Sequence, residues 1–121
     1  MLSRRIVIRS SPELQLDLIF RALGDRTRRA LLASLALRPA MITELAEPFR
    51  MSLPAVSRHI RVLERARLVK RTVDGRVHHC ALRAGPLRHA ERWILHYRHF
   101  WEGTLEALAH YAEDVQGKHH R

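Results

Sequence analysis

Cys80 follows His78 and His79 in the stretch VHHCAL, and a thiol beside an imidazole is the smallest kit for a nucleophilic enzyme. His96 and His99 stand three residues apart, a spacing that puts two imidazoles on one helical face and suits a divalent metal. The stretch SLPAVSRHIRVLE, residues 52–64, offers a third chemistry. At about 100° per residue, Leu53, Val56, Ile60 and Leu63 fall on one face. Pro54, Arg58, Arg61 and Arg65 fall on the opposite face, with Ser57 at its edge and His59 on the other flank. No acid appears before Glu64. A wet face of small residues and arginines, without the glutamates that ordinarily balance a surface helix, suits a polyanion.

The first two chemistries lack supporting parts. Cys80 is the one cysteine, so it forms neither an internal disulfide nor a Cys-rich zinc site. Strand alternation turns it inward, on the face of Val69 and Leu82, where a lone thiol behaves as a small apolar residue. A Cys–His nucleophile also needs an oxyanion site, and no catalytic residue is assigned. His96 and His99 are joined by no carboxylate at a ligand offset; Glu91 and Glu102 are the nearest. They read as histidines of a polar stripe, and neither a metal nor a cofactor is assigned.

The third chemistry is supported by where the charge lies. Residues 1–83 hold 17 of the 22 Lys+Arg and 7 of the 12 Asp+Glu, so the whole net charge of +10 falls there. Residues 84–121 hold five of each sign. A basic part joined to a neutral helical part fits nucleic-acid binding combined with self-association. Residues 1–10 carry only Ile6-Val7-Ile8 as an apolar run, too short for a signal peptide, and read as a mobile basic arm. No apolar run approaches the roughly 18 residues that span a membrane. The expected compartment is the reducing cytoplasm.

The elements that must position these residues follow from caps and breaks. Ser11-Pro12-Glu13 starts a first helix, and Gly24-Asp25 ends it. A second runs from about Thr27 to Leu37. Thr43 caps a short third helix that Pro48 curtails. Ser52 caps the fourth, residues 52–64. The period then changes from 3.6 to 2: LVKRTV-DG-RVHHCAL reads as a hairpin on a two-residue Asp74-Gly75 turn, pairing Val73 with Arg76, Arg71 with His78 and Val69 with Cys80. Pro86 begins a last helix reaching about Asp114. The fold class is mainly α with a β-hairpin wing, in the order α-α-α-α-β-β-α. Residues 11–121 form one winged helix-turn-helix domain with a C-terminal dimerisation helix over about 86–114.

FRALGDRTRRALLASL (20–35), ITELAEPFRMSLPAVSRHIRVLERARLV (42–69) and DGRVHHCAL (74–82) resemble the ArsR/SmtB family of bacterial winged-helix transcriptional repressors. The resemblance covers about residues 12–112. It implies a homodimer that binds an inverted-repeat operator in double-stranded DNA and blocks transcription. By position it places recognition-helix contacts on Ser52, Pro54, Ser57, Arg58, His59 and Arg61, and wing contacts on Arg71 and Arg76; Lys70, on the same hairpin leg, joins them. The metal-sensing members' Cys-x-Cys pair would fall in ELAEPF, which has no cysteine. Their Asp-x-His partner for the last helix is also missing, with Gly85 where an upstream His would stand. The resemblance is therefore closest to the sensor-less, SdpR-like branch, and implies no obligate small molecule.

The last helix repeats Ala90, Ile94, Tyr97, Trp101, Thr104, Leu108 and Tyr111 at alternating steps of four and three, a heptad-like seam widened by Trp93, Phe100 and Leu105. Ile94, Tyr97, Trp101 and Leu108 are the expected dimer contacts. Three readings compete with a repressor of this design: a zinc-responsive repressor using His96 and His99, a Cys/His enzyme on Cys80, and an adaptor whose helix-turn-helix binds no DNA.

Overall fold

Asp25 ends one helix and starts the next: its Oδ2 accepts from the backbone N–H of Arg28 at 3.1 Å, the N-cap bond that a carboxylate supplies at a helix start. A computed structural model describes residues 12–119, with side chains for all of these except 104–106 and 117–119. The expected basic arm, the Ser11 cap, the side chains of Thr104 and Leu105, and His120 lie outside the described residues. The elements are α1 (Pro12–Leu23), α2 (Arg26–Leu37), β1 (Ala40–Met41), α3 (Ile42–Ala46), α4 (Leu53–Arg65), β2 (Val69–Asp74), β3 (Val77–Leu82), α5 (Leu87–His96) and α6 (Arg98–His119). The mainly helical architecture with a hairpin wing is as expected.

The details differ in four places. Thr43 lies inside α3 rather than capping it; Met41 is the N-cap residue, and its N–H donates to Glu44 Oε1 at 2.9 Å. Ala40 and Met41 form a third strand against β3, giving one antiparallel sheet in the order β1-β3-β2. Two residues after Pro39 are too short a run to show a strand period. The hairpin turns on Gly75-Arg76, one residue later than expected, so Val73 faces His78, Arg71 faces Cys80 and Val69 faces Leu82. Gly75 carries φ +63° and Arg76 no positive φ, so glycine occupies the first central position as in a II′ turn.

The fourth difference is the last helix, which is two. Tyr97 interrupts it: its N–H reaches back only three residues to Ile94 O, and Phe100 N–H does the same to Tyr97 O, each at 3.0 Å. Trp93, Ile94, His96, Tyr97, His99, Phe100 and Trp101 crowd this point, and ring-bearing or β-branched side chains lose χ1 freedom in a helix. The heptad-like spacing therefore spans a break, and α6 continues to His119.

The chain divides into a unit ending at Ala90 and a unit beginning at Glu91. The first has a continuous apolar core from its helices and from the sheet: Ile19, Leu31, Val56, Ile60, Leu63, Leu68 and Cys80 are fully buried, and among the described residues no polar or charged one is buried. In the second, the described large apolar side chains are exposed, from Trp93 to Tyr111.

Candidate nucleic-acid interface

α4 is held at both ends and along one face. Ser52 Oγ accepts from Ala55 N–H at 3.3 Å. At the other end Leu68 N–H reaches Leu63 O at 3.0 Å and Arg67 N–H reaches Glu64 O at 2.9 Å, the paired bonds of a Schellman motif with Arg67 at φ 60°. Val56, Ile60 and Leu63 are fully buried, which fixes the helix's rotation. That rotation exposes Ser52, Pro54, Arg58, Arg61 and Arg65, and leaves Ser57 and His59 half-buried. Leu53, expected on the buried face, is 46% exposed instead. It is the first helical residue, and the core ends one turn further on, at Val56.

The tight turn carries Arg76 at the tip of the wing. Lys70 is exposed beside Ala81. Arg58, Arg61, Lys70 and Arg76 make no hydrogen bond or ion pair with any described residue. Arg71 is different. It shares the inner face of the hairpin with Cys80, and both its Nε (2.9 Å) and Nη2 (2.6 Å) donate to Glu64 Oε1 near the end of α4. Its Nη1 lies 3.2 Å from His78 Nδ1. A guanidinium only donates, so that Nδ1 accepts and the ring proton sits on Nε2. Arg71 thus ties the wing to α4, and its charge is already matched.

Arg28 and Arg29 stand outside the residues singled out from the sequence. Arg28 donates to Ala22 O (Nε, 2.9 Å) and Arg21 O (Nη2, 2.8 Å), and Arg29 Nη1 donates to Leu23 O at 2.7 Å. These are carbonyls of the last turn of α1, where a cation is also favoured by the helix dipole. Arg28 Nη1 also donates to His59 Nδ1 at 3.2 Å, placing the His59 proton on Nε2 by the same reasoning. Arg28, Arg58 and His59 meet at a shallow hollow of about 290 Å³. The Arg28 amide bond, then the nearby Arg28 charge, hold the Asp25 carboxyl below the usual range. The sequence signal was GDRTRR itself: two arginines just past a helix end are placed to cap it.

The other candidate chemistries are dispersed. Burial pushes the Cys80 thiol up from its ordinary pKa, which keeps it protonated and un-nucleophilic. His96 ends α5 and His99 lies in α6, on opposite sides of the break at Tyr97, and each ring packs on its neighbour, Tyr97 or Phe100. Among the described residues no three His, Cys, Asp or Glu side chains come together as a metal site. No described helix is long and apolar enough to cross a membrane.

A short helix, a tight connection, an arginine-faced helix and a basic hairpin packed on its end define a winged helix-turn-helix DNA-binding module. Comparison with known proteins agrees. Residues 23–72 match a family described as a helix-turn-helix domain. The chain is 49% identical over 53 residues to the HTH-type transcriptional regulator Rv2034 of Mycobacterium tuberculosis, covering 44% of this chain and 50% of that one. It is 28% identical over 79 residues to the transcriptional repressor SdpR of Bacillus subtilis, covering 65% and 88%. The crystal structure of the ArsR family transcriptional regulator RHA00566 superposes with a TM-score of 0.70 at 42% identity, covering 77% of this chain and 95% of that one. The chain spans about half the length of the first curated relatives it matches. It belongs to the ArsR family of transcriptional regulators, whose members are DNA-binding proteins rather than enzymes.

Proposed function

We propose that the protein is a homodimeric repressor that binds an inverted-repeat operator in cytoplasmic DNA and uses no bound metal and no obligate small molecule. The observation that carries the DNA surface is the exposed row Ser52, Pro54, Arg58 and Arg61 on α4, continued by Lys70 and Arg76 on the wing. Its cations have no partner among the described residues. Ser52 and the helix N-terminus suit a phosphate, Ser57 allows close approach, and His59 offers an Nε2 proton. Arg58 and Arg61 reach guanine edges or phosphates, and Arg76 reaches the minor groove or the backbone. Arg71 acts by holding the wing rather than by touching DNA. Ile94, Tyr97, Trp101 and Leu108 form the dimer contact, on the strength of their exposure in the single chain. Two-fold symmetry then sets half-sites about 10 bp apart or a multiple of it.

Salt-dependent binding to duplex DNA tests this reading. Arg58→Ala or Arg61→Ala should cost about 1–3 kcal/mol at one operator position where the side chain reads a base. Arg76→Ala should weaken all sequences alike and flatten the salt slope by about one unit for each phosphate lost. Affinity unchanged in all three variants would remove the helix-turn-helix from the mechanism and leave an adaptor. DNA release by stoichiometric zinc, abolished in His96→Ala or His99→Ala, would establish the metal-responsive design instead.

A further inference from the structure

A hollow lined by the start of α3, by α4 and by the wing brings apolar side chains together with donors. Leu53 heads α4 and Val77 opens β3, and they are 46% and 40% exposed. Both line this hollow of about 280 Å³. Ser57, Arg71, Arg76 and His78 also line it, and none of its lining residues is acidic. Arg71 is matched by Glu64, so Arg76 is the cation of this lining that has no partner among the described residues. His78 Nδ1 accepts from Arg71, so its remaining ring nitrogen is a donor. Hydrocarbon and donors in one lining suit an occupant that is anionic and accepting along one edge and apolar along another.

A DNA strand has those two edges. Its phosphate oxygens only accept, and C2′ of deoxyribose is a plain methylene. The place fits as well. A helix in the major groove and a wing at the minor groove have between them the one backbone that separates the grooves. We propose that this cleft seats a deoxyribose–phosphate segment of that backbone, with Leu53 and Val77 against the C2′ edge and Arg76 and Ser57 on the phosphate, and that it thereby selects DNA over RNA. A ribose would set its 2′-hydroxyl, both donor and acceptor, against Leu53 and Val77, two side chains that offer it no hydrogen bond in place of its water. The inference rests on the DNA-binding reading above and deepens it, since it assigns work to two large apolar side chains that the core does not use.

The test is fluorescence anisotropy of the full chain on one 30-bp sequence made as a DNA duplex and as an RNA duplex, each over a salt series. Wild type is expected to favour the DNA. Leu53→Ser and Val77→Thr should each weaken DNA binding by about five- to ten-fold, in line with the apolar area lost from contact. Their salt slope on DNA should stay unchanged, because no phosphate contact is removed. Their RNA affinity should stay within about two-fold. A-form geometry is common to every RNA measurement, so it cancels when variants are compared. Val77→Thr keeps β-branching and shape, which covers the case that Leu53→Ser disturbs the first turn of α4. Equal losses on DNA and RNA, or full DNA affinity in both variants, would overturn the proposal while leaving DNA binding intact. Failure of the wild type to bind duplex DNA even at low salt would remove the DNA-binding reading itself.

Discussion

The unit ending at Ala90 buries a core of large apolar side chains and shows arginines; the unit beginning at Glu91 shows most of its described large apolar side chains. In the first, Ile19, Leu31, Ile60, Leu63 and Leu68 are fully buried while Arg58, Arg61 and Arg76 face water. In the second, Trp93, Tyr97, Phe100, Trp101, Leu108 and Tyr111 are all more than 40% exposed, Phe100 at 63% and Tyr111 at 70%. The Trp93 and Tyr97 ring centroids stand 5.0 Å apart and those of Tyr97 and Phe100 6.1 Å, so the three rings form a row across the break. Exposed rings in such number fit the dimer contact proposed above. Charge does the outward work of one unit and apolar area that of the other, so substitutions in the two should fail in different ways.

The largest expected effect is on association. Trp101→Ala should cost the dimer about 3–5 kcal/mol if a partner covers the ring. Sedimentation at micromolar concentration should then shift from about twice the 14.1 kDa chain mass toward that mass itself. A wild-type chain that sediments as a monomer would break the comparison at its second half. Leu63→Ala is the counterpart in the first unit. It removes a fully buried side chain from the core and should cost about 3 kcal/mol of unfolding free energy. Denaturant titration should show that loss, while the sedimenting mass of the native protein stays as it was.

Legibility divides along the same line. Buried faces repeat, so caps and periods located α1, α2, α4 and the wing within a residue or two. The expected hairpin register was wrong, yet Cys80 was still read as inward. The reason is geometric: Val69 was set against Cys80 and in fact faces Leu82, two residues along, and a two-residue step preserves the side of a strand. The same alternation puts Arg71 on the inner face with Cys80, so its bond to Glu64 was within reach of the sequence. The resemblance places Arg71 among the wing contacts by position alone, which does not distinguish a side chain on the inner face from one on the outer. Arg28 and Arg29 show the same thing, since part of the positive charge of residues 1–83 caps α1. A total charge does not say which cations are free. The short β1 and the break at Tyr97 leave no period to read, because each occupies one or two residues.

The Arg71 pair permits a sharper separation of bound from free cations. Glu64 and Arg71 side chains are 30% and 15% exposed. Glu64→Gln should cost about 1 kcal/mol of stability, since the arginine loses its charge partner but keeps a neutral acceptor. It should also release a cation on the proposed DNA face, tightening binding at low salt and steepening the salt slope by up to about one unit. Lower stability with an unchanged slope would mean that Arg71 stays on the inner face even when unpaired.

The smallest effect concerns Arg67, the one described non-glycine residue with positive φ. It is the residue just beyond the α4 cap, where left-handed backbone is needed so that Arg67 and Leu68 can return their N–H groups to Glu64 and Leu63. A side chain in that conformation costs roughly 1–2 kcal/mol, and glycine adopts it without strain. Glycine also gives the unfolded chain more freedom, which takes back about 0.4–1 kcal/mol. Arg67→Gly should therefore stabilise the fold by about 0.5–1 kcal/mol, a rise of a few degrees in thermal melting for a domain of about this size. Thirteen helical residues separate Ser52 from Ala66, about 20 Å of helix, so Arg67 lies at the far end of α4 from Ser52. The salt slope for duplex DNA should not change. A destabilised Arg67→Gly would show that the arginine's stem packs on the hairpin strongly enough to outweigh its backbone strain. A stabilised variant with a shallower slope would extend the DNA surface along the whole of α4.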